Sequence, residues 1–286
     1  MATLELAVLT AYSDFLAQQA EASREYVSQE LRRRLSGRRT VESSRDAAED
    51  VMRDALEEYG EAAAGAALSL FEDTLALEGL YVNTAVPSGV ITAGEISKIA
   101  HYQAGKLRVD DFDGFVEQIA GSTAFLTRQC ANRTMMAQGG LYHNVMVGRN
   151  VGRGRVRYVY AEAPRGTSYE VRYARVPQGE ETCDFCLMLA SRGFVYLTAE
   201  SAEGWNHTHR NCDCIVVAGV GHHEAGVKNS GGGDWVQDTV IEGFEMDSLR
   251  QLWGMWTRRD EGDVEGRRDD MESVLGRRYW TGQNRR

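Results

Sequence analysis

Four of the chain's five cysteines fall in one short stretch. They stand as Cys183-x2-Cys186 and, after twenty-two intervening residues, as His209-x2-Cys212-x-Cys214. Thiolates and imidazoles are soft donors. Two compact clusters at finger-like separation suit one tetrahedral Zn²⁺, with Zn–S near ~2.3 Å and Zn–N near ~2.0 Å. Such an ion is structural: the chain folds back and is clipped at two places. Five candidate ligands, Cys183, Cys186, His209, Cys212 and Cys214, compete for four places. On an extended segment Cys212 and Cys214 point the same way, and on a tight turn only one of them reaches the ion. The spacing leaves open which ligand is spare. A redox C-x2-C, or thiols that are simply buried or disulfide-linked, are the competing readings.

Beside the cysteines, Asn206-His207-x-His209 has the residue types of a His-Asn-His nuclease. A zinc-stabilised HNH-like nuclease, with His207 as base, is therefore one alternative function. Hydrolysis needs a metal with open positions, and a closed, thiolate-rich shell has none. The nearest candidates for a second metal-binding histidine are His222-His223, across a glycine-rich stretch. No glycine is followed by Lys-Ser or Lys-Thr, and no G-x-S-x-G occurs. The expectation is a protein that is not an enzyme and takes no small-molecule substrate.

A second alternative is a nucleic-acid-binding module. Arg149, Arg153, Arg155, Arg157, Arg165, Arg172 and Arg175 are opposed only by Glu162 and Glu170. Val156, Tyr158 and Tyr160, and again Tyr169, Val171 and Tyr173, alternate with their neighbours as strand residues do. Pro164-Arg165-Gly166 reads as the turn between them, which predicts an arginine-rich hairpin. Arg153, Arg155 and Arg157 on its outer face are candidate phosphate contacts. A solvated strand face, or ion pairs to acidic helices, accounts for the same pattern.

These residues need elements to position them. Leu4, Val8, Tyr12 and Phe15 fall at helical spacing, predicting a first helix to about Leu35. Ala48, Met52, Leu56, Tyr59, Ala66 and Leu70 predict a second, joined to the first as an antiparallel hairpin. Pro87-Ser88-Gly89 breaks the run. A shorter helix is predicted over 93–104. A long helix then follows Asp110-Asp111, burying Phe115, Ile119, Leu126 and Cys130. Leu187 to Ser191 predicts one or two helical turns stopped by Gly193.

The fold class expected is α+β: a helical region over 1–140, then an arginine-rich hairpin and zinc-stapled module over 141–218. A glycine-rich linker over 219–234 and a mostly extended or helical, partner-binding tail over 235–286 complete it. The length of 286 residues, 43% of them hydrophobic, supports a sizeable core. The net charge of −10 argues against general coating of nucleic acid. The N-terminus lacks the basic start of a signal peptide, and no run of eighteen apolar residues exists, so no membrane partner is expected. Clustered, odd-numbered cysteines suit a reducing compartment.

The cysteine module also carries a family likeness. Arg175-Val-Pro-x-Gly179, Thr182-Cys-x2-Cys186, Ser191-Arg-Gly193 and His209-x-Asn211-Cys212-x-Cys214-x-Val216 resemble the C-terminal region of MuF-like phage head morphogenesis proteins. The likeness covers about 130–218 and is nearest to actinobacterial tailed-phage and prophage versions. Arg210 stands where that family usually has proline. The resemblance implies a minor capsid protein of the virion, on the capsid interior near the portal. Its partners would be the portal or major capsid protein and the packaged DNA, and it would act in head assembly and in DNA packaging or ejection. It also implies metal-type positions at Cys183, Cys186, His209, Cys212 and Cys214.

Overall fold

The computed structural model describes residues 2–37, 40–82, 84, 90–106, 111–142, 144–146, 160–161, 168–177, 181–182, 184–194, 196, 214–223, 235–242, 246–258, 267 and 278–279. The fold is α+β, with helix outweighing strand. The helices are α1 (Leu6–Arg34), α2 (Val41–Ala55), α3 (Glu61–Ala76), α4 (Ala93–Ala104), α5 (Phe112–Tyr142), α6 (Asp184–Ser191) and α7 (Met246–Trp256). The strands are β1 (Ala2–Leu4), β2 (Leu80–Tyr81), β3 (Asn144–Met146), β4 (Tyr160–Ala161), β5 (Ser168–Val176), β6 (Glu181–Thr182), β7 (Ile215–His223), β8 (Trp235–Gln237), β9 (Thr239–Ile241) and β10 (Arg278–Tyr279). One π-helical turn, Leu56–Gly60, joins α2 to α3. Among the described residues no helix is long and apolar enough to cross a membrane.

The chain forms two compact units, and neither is one continuous stretch. Residues 14–69 and 85–135 make a helical unit. Its helices start where the side chains can cap them. Thr40 and Ser43 cap α2 reciprocally, as do Thr92 and Glu95 for α4. Asp111 Oδ1 accepts the Gly114 N–H at the start of α5. The predicted hairpin is present: Tyr26 of α1 meets Tyr59 at 6.1 Å, and Arg34 reaches Asp54 at 3.2 Å, so the two run antiparallel. Helix α5 also lies antiparallel to α1, tied by Arg24–Glu117 at 2.7 Å and Arg32–Asp113 at 3.0 Å. Val27, Leu31, Met52, Phe115, Ile119 and Cys130 are among the residues of its core. Burial pushes the Cys130 thiol up to about 12, so it packs as a small hydrophobe.

Residues 1–13, 70–84 and 136–286 form the second unit. Its centre is a four-stranded sheet ordered β3-β5-β7-β8, antiparallel throughout. Strand β7 pairs with β5 from Tyr169↔His222 to Val176↔Ile215. On the other edge of β5, β3 pairs with residues 168–170, and Tyr196 bridges Tyr173. Helix α6 packs on β5 and α7 packs on α6. Strand β1 lies parallel to β9.

Three expectations change here. The described part of the first strand of the expected hairpin, β4, pairs with β2 and not with β5, which has β7 on one edge and β3 and Tyr196 along part of the other; residues 147–159 lie outside the described residues. The predicted linker starts later than 219, since Gly219 to His223 is the second half of β7; residues 224–234 lie outside the described residues. The region from 235 is not wholly a free arm, because β8 and β9 join the sheet unit and α7 packs on α6. The helix at Leu187 to Ser191 ends as predicted: Gly193 has φ 71°, and its N–H reaches the Ala190 carbonyl at 3.0 Å.

Candidate functional site

Two groups of chemistry-bearing residues lie at opposite ends of the β5–β7 pair. At one end Val176 pairs with Ile215, so the last residue of β5 stands beside the first residue of β7. Cys214 immediately precedes Ile215 and is buried. Six residues after Pro177 the chain reaches Cys183, and Cys186 is the third residue of α6, which packs on β5. The topology thus brings the exit of one cysteine cluster and the entry to the other to the same end of the sheet. Cys183, His209 and Cys212 lie outside the described residues, as do His207 and the side chain of Cys186. Among the described residues no group of three His, Cys, Asp or Glu side chains is placed to hold a metal.

Arg175 is on β5 at this end, opposite Val216, and is only 1% exposed. A buried guanidinium cannot be a solvent-facing phosphate contact. Tyr173, two residues earlier on the same face, is fully buried, and burial drives its phenol above the ordinary range.

At the other end, charged and aromatic groups interlock. Glu170 accepts from Arg172 and pairs with His223 Nε2 at 2.7 Å. The Arg172 guanidinium lies 4.4 Å from the centre of the Trp235 ring. On the opposite face His222 Nδ1 meets the Asp238 carboxylate at 2.8 Å. The phenol of Tyr169, which pairs in register with His222, is held above its ordinary range by burial, with Asp238 and Glu78 adding to it. Val220 N–H donates to Thr239 Oγ1 at 3.0 Å, and Asp238 N–H donates to the Val220 carbonyl at 2.9 Å, fixing the turn from β8 to β9. Glycines make this packing fit. A Cβ on Gly221 would overlap the Trp235 indole, and one on Gly219 would overlap the Phe194 ring.

His222 and His223 stand at the far end of β7 from Cys214, with His222 eight positions along, about 27 Å at ~3.4 Å per strand residue, while His207 lies outside the described residues. Each histidine also has a carboxylate partner. Arg172 is engaged by Glu170 and Trp235, and Arg175 is buried, so neither extends a phosphate-binding face. Arg153, Arg155 and Arg157 lie outside the described residues. Sequence reasoning missed Glu170, Trp235 and Asp238 as partners. The two-residue alternation of Glu170 with Arg172 was the one available signal, and it does not name cross-strand neighbours.

A family model described as VG15 protein matches residues 7–231 of the chain. No curated protein and no solved structure matches it.

Proposed function

The chain belongs to the VG15 protein family and is a phage protein, and from that premise we propose that it is a minor structural protein of the phage head. In this reading it is a MuF-like component, not an enzyme. It acts in head assembly on the capsid interior, near the portal, and assists DNA packaging or ejection. Its partners are the portal or major capsid protein and the packaged DNA.

The observation that carries the reading is the Val176↔Ile215 pairing. It sets the chain that leads towards the C-x2-C motif and the chain that leaves the H-x-N-C-x-C block, the two motifs of the resemblance, at one end of one sheet. The donor set there is soft and suits zinc, held by four of Cys183, Cys186, His209, Cys212 and Cys214. When bound, the ion supplies a closed structural cross-link rather than a reactive centre. Cys214 is buried at the strand end, as a ligand of such a site would be. The exposed apolar residues Leu6, Val8 and Phe15 of α1 offer a surface for docking on larger assemblies.

Mass spectrometry of purified virions tests the role. The chain is expected in particles at low copy number and in cross-links to the portal. Absence from intact particles, with abundance in infected-cell lysate, would sink it. Metal analysis of the purified chain tests the ion separately, with one equivalent of zinc expected.

A further inference from the structure

The segment Arg278–Tyr279 returns to the strand that precedes Cys183 in the chain. Strand β10 lies parallel to β6, with Arg278 opposite Glu181 and Tyr279 opposite Thr182. Strand β6 ends at the residue before Cys183. Among the described residues the two form a sheet of their own. A ribbon this short has few hydrogen bonds, each contributing about 1 kcal/mol net, and is marginal by itself.

Charge favours the pairing. From Arg277 to the end the chain has four arginines and no acidic residue. Between Pro177 and Leu187 it has Glu180, Glu181 and Asp184, and no lysine or arginine. In register, Arg278 stands opposite Glu181, and in sequence a basic, aromatic segment is matched with an acidic one.

The tether is long. Twenty-one residues lie between Trp256, the end of α7, and Arg278. Their contour spans up to roughly 70 Å at ~3.4 Å per residue, more than the width of one such unit. That length is enough for the segment that docks in cis to reach the same strand on a neighbouring molecule once Arg267, which is partly buried and engaged in this fold, is released.

We propose that β6 is a strand-docking site and that the partner it fits is the C-terminal segment of a second copy of this chain. In the isolated chain β10 occupies the site in cis. When copies are gathered in an assembly, the same pairing forms in trans, by strand addition and exchange of an identical element. The cis form competes with an effective concentration in the millimolar range, so exchange is confined to copies held close together. The inference rests on the backbone pairing and does not depend on the head-protein reading or on zinc.

Reciprocal charge exchange in the full-length chain tests it. One variant carries Arg277→Glu and Arg278→Glu, and the other carries Glu180→Arg and Glu181→Arg. Each alone has a mismatched cis pair, and the two are complementary to each other in both directions. Light scattering and native mass spectrometry are expected to show a heterodimer in the equimolar mixture. Neither variant alone should form it, and a chain carrying all four changes should behave as wild type does. A mixture that stays monomeric at several hundred micromolar overturns the proposal. If the glutamate-to-arginine variant does not fold, a labelled peptide of residues 274–284 decides. It should bind the Arg277→Glu, Arg278→Glu chain at least tenfold more tightly than wild type, and equal binding, or no binding to either, overturns the proposal.

Discussion

The indole of Trp235 occupies the space that a side chain on Gly221 would need. The two are on adjacent, paired strands, and the same indole stacks under the Arg172 guanidinium. Gly219 stands in the same relation to Phe194. These glycines are places where a ring closes on the backbone of β7.

Gly221→Ala should therefore destabilise the sheet unit. Forcing a methyl into an occupied space costs about 1–3 kcal/mol or more. Trp235→Ala in the same chain should relieve only the part due to the ring, because the Val236 carbonyl oxygen also crowds that Cβ, so the pair should be somewhat less than additive. Urea unfolding of the two single variants and the double variant measures this. Strict additivity would show that the ring does not press on the glycine.

In the helical unit, a Cβ on Gly60 would sit 2.9 Å from Cys130 Sγ. Gly60→Ala is expected to cost on the order of 1–3 kcal/mol, and Cys130→Ala to recover part of it. The Cys130 thiol itself, pushed up to about 12 by burial, should resist alkylation at pH 8 until denaturant is added. Its folded value lies above the ordinary one, so its contribution to stability is present below pH 9 and is lost as pH rises beyond that. Rapid labelling of Cys130 in the native chain would show that the core is open.

The Thr127 hydroxyl shares its one proton between the Thr123 carbonyl at 3.0 Å and Ser23 Oγ at 3.1 Å inside the same unit, and Ser23 donates to the Ala20 carbonyl. Thr127→Val should cost about 1 kcal/mol by removing one buried partner. Because Ser23 keeps its own acceptor, the double change Ser23→Ala, Thr127→Val should cost little more. Thermal denaturation of the three variants checks the order.

Burial pushes the Glu95 carboxyl up, but the Thr92 N–H and the Arg133 guanidinium, at 2.9 Å each, outweigh it and hold it below its ordinary value. A lowered folded value means stabilisation that is present above pH 4.5 and lost as pH falls below it. Wild type should exceed Glu95→Gln in urea midpoint at pH 7, and the gap should close at pH 3. A gap that does not change with pH would place the effect elsewhere.

On the proposed zinc reading, replacing Cys183 and Cys186 together with serine should abolish zinc binding and destabilise the sheet unit, leaving the helical unit's transition in place. Metal analysis and calorimetry read the two effects independently. A double variant that still holds one equivalent of zinc ends the metal assignment.

The sequence alone determined the helices. Apolar residues recur every three or four positions, and start and stop signals such as Thr92 with Glu95 and Gly193 are local, so spacing along the chain is enough to place them. It also picked out the cysteine module, because ligand types at fixed spacing are a one-dimensional signal. Only the tertiary structure decided which strands pair. Tyr158 to Tyr160 and Tyr169 to Tyr173 alternate alike in sequence, yet β4 goes to β2 and β5 goes to β7, because alternation along one strand does not name its cross-strand neighbour. It also decided what Gly219 and Gly221 are for. A glycine read along the chain signals freedom, and only the neighbouring strand shows that an aromatic ring fills the space its missing side chain leaves.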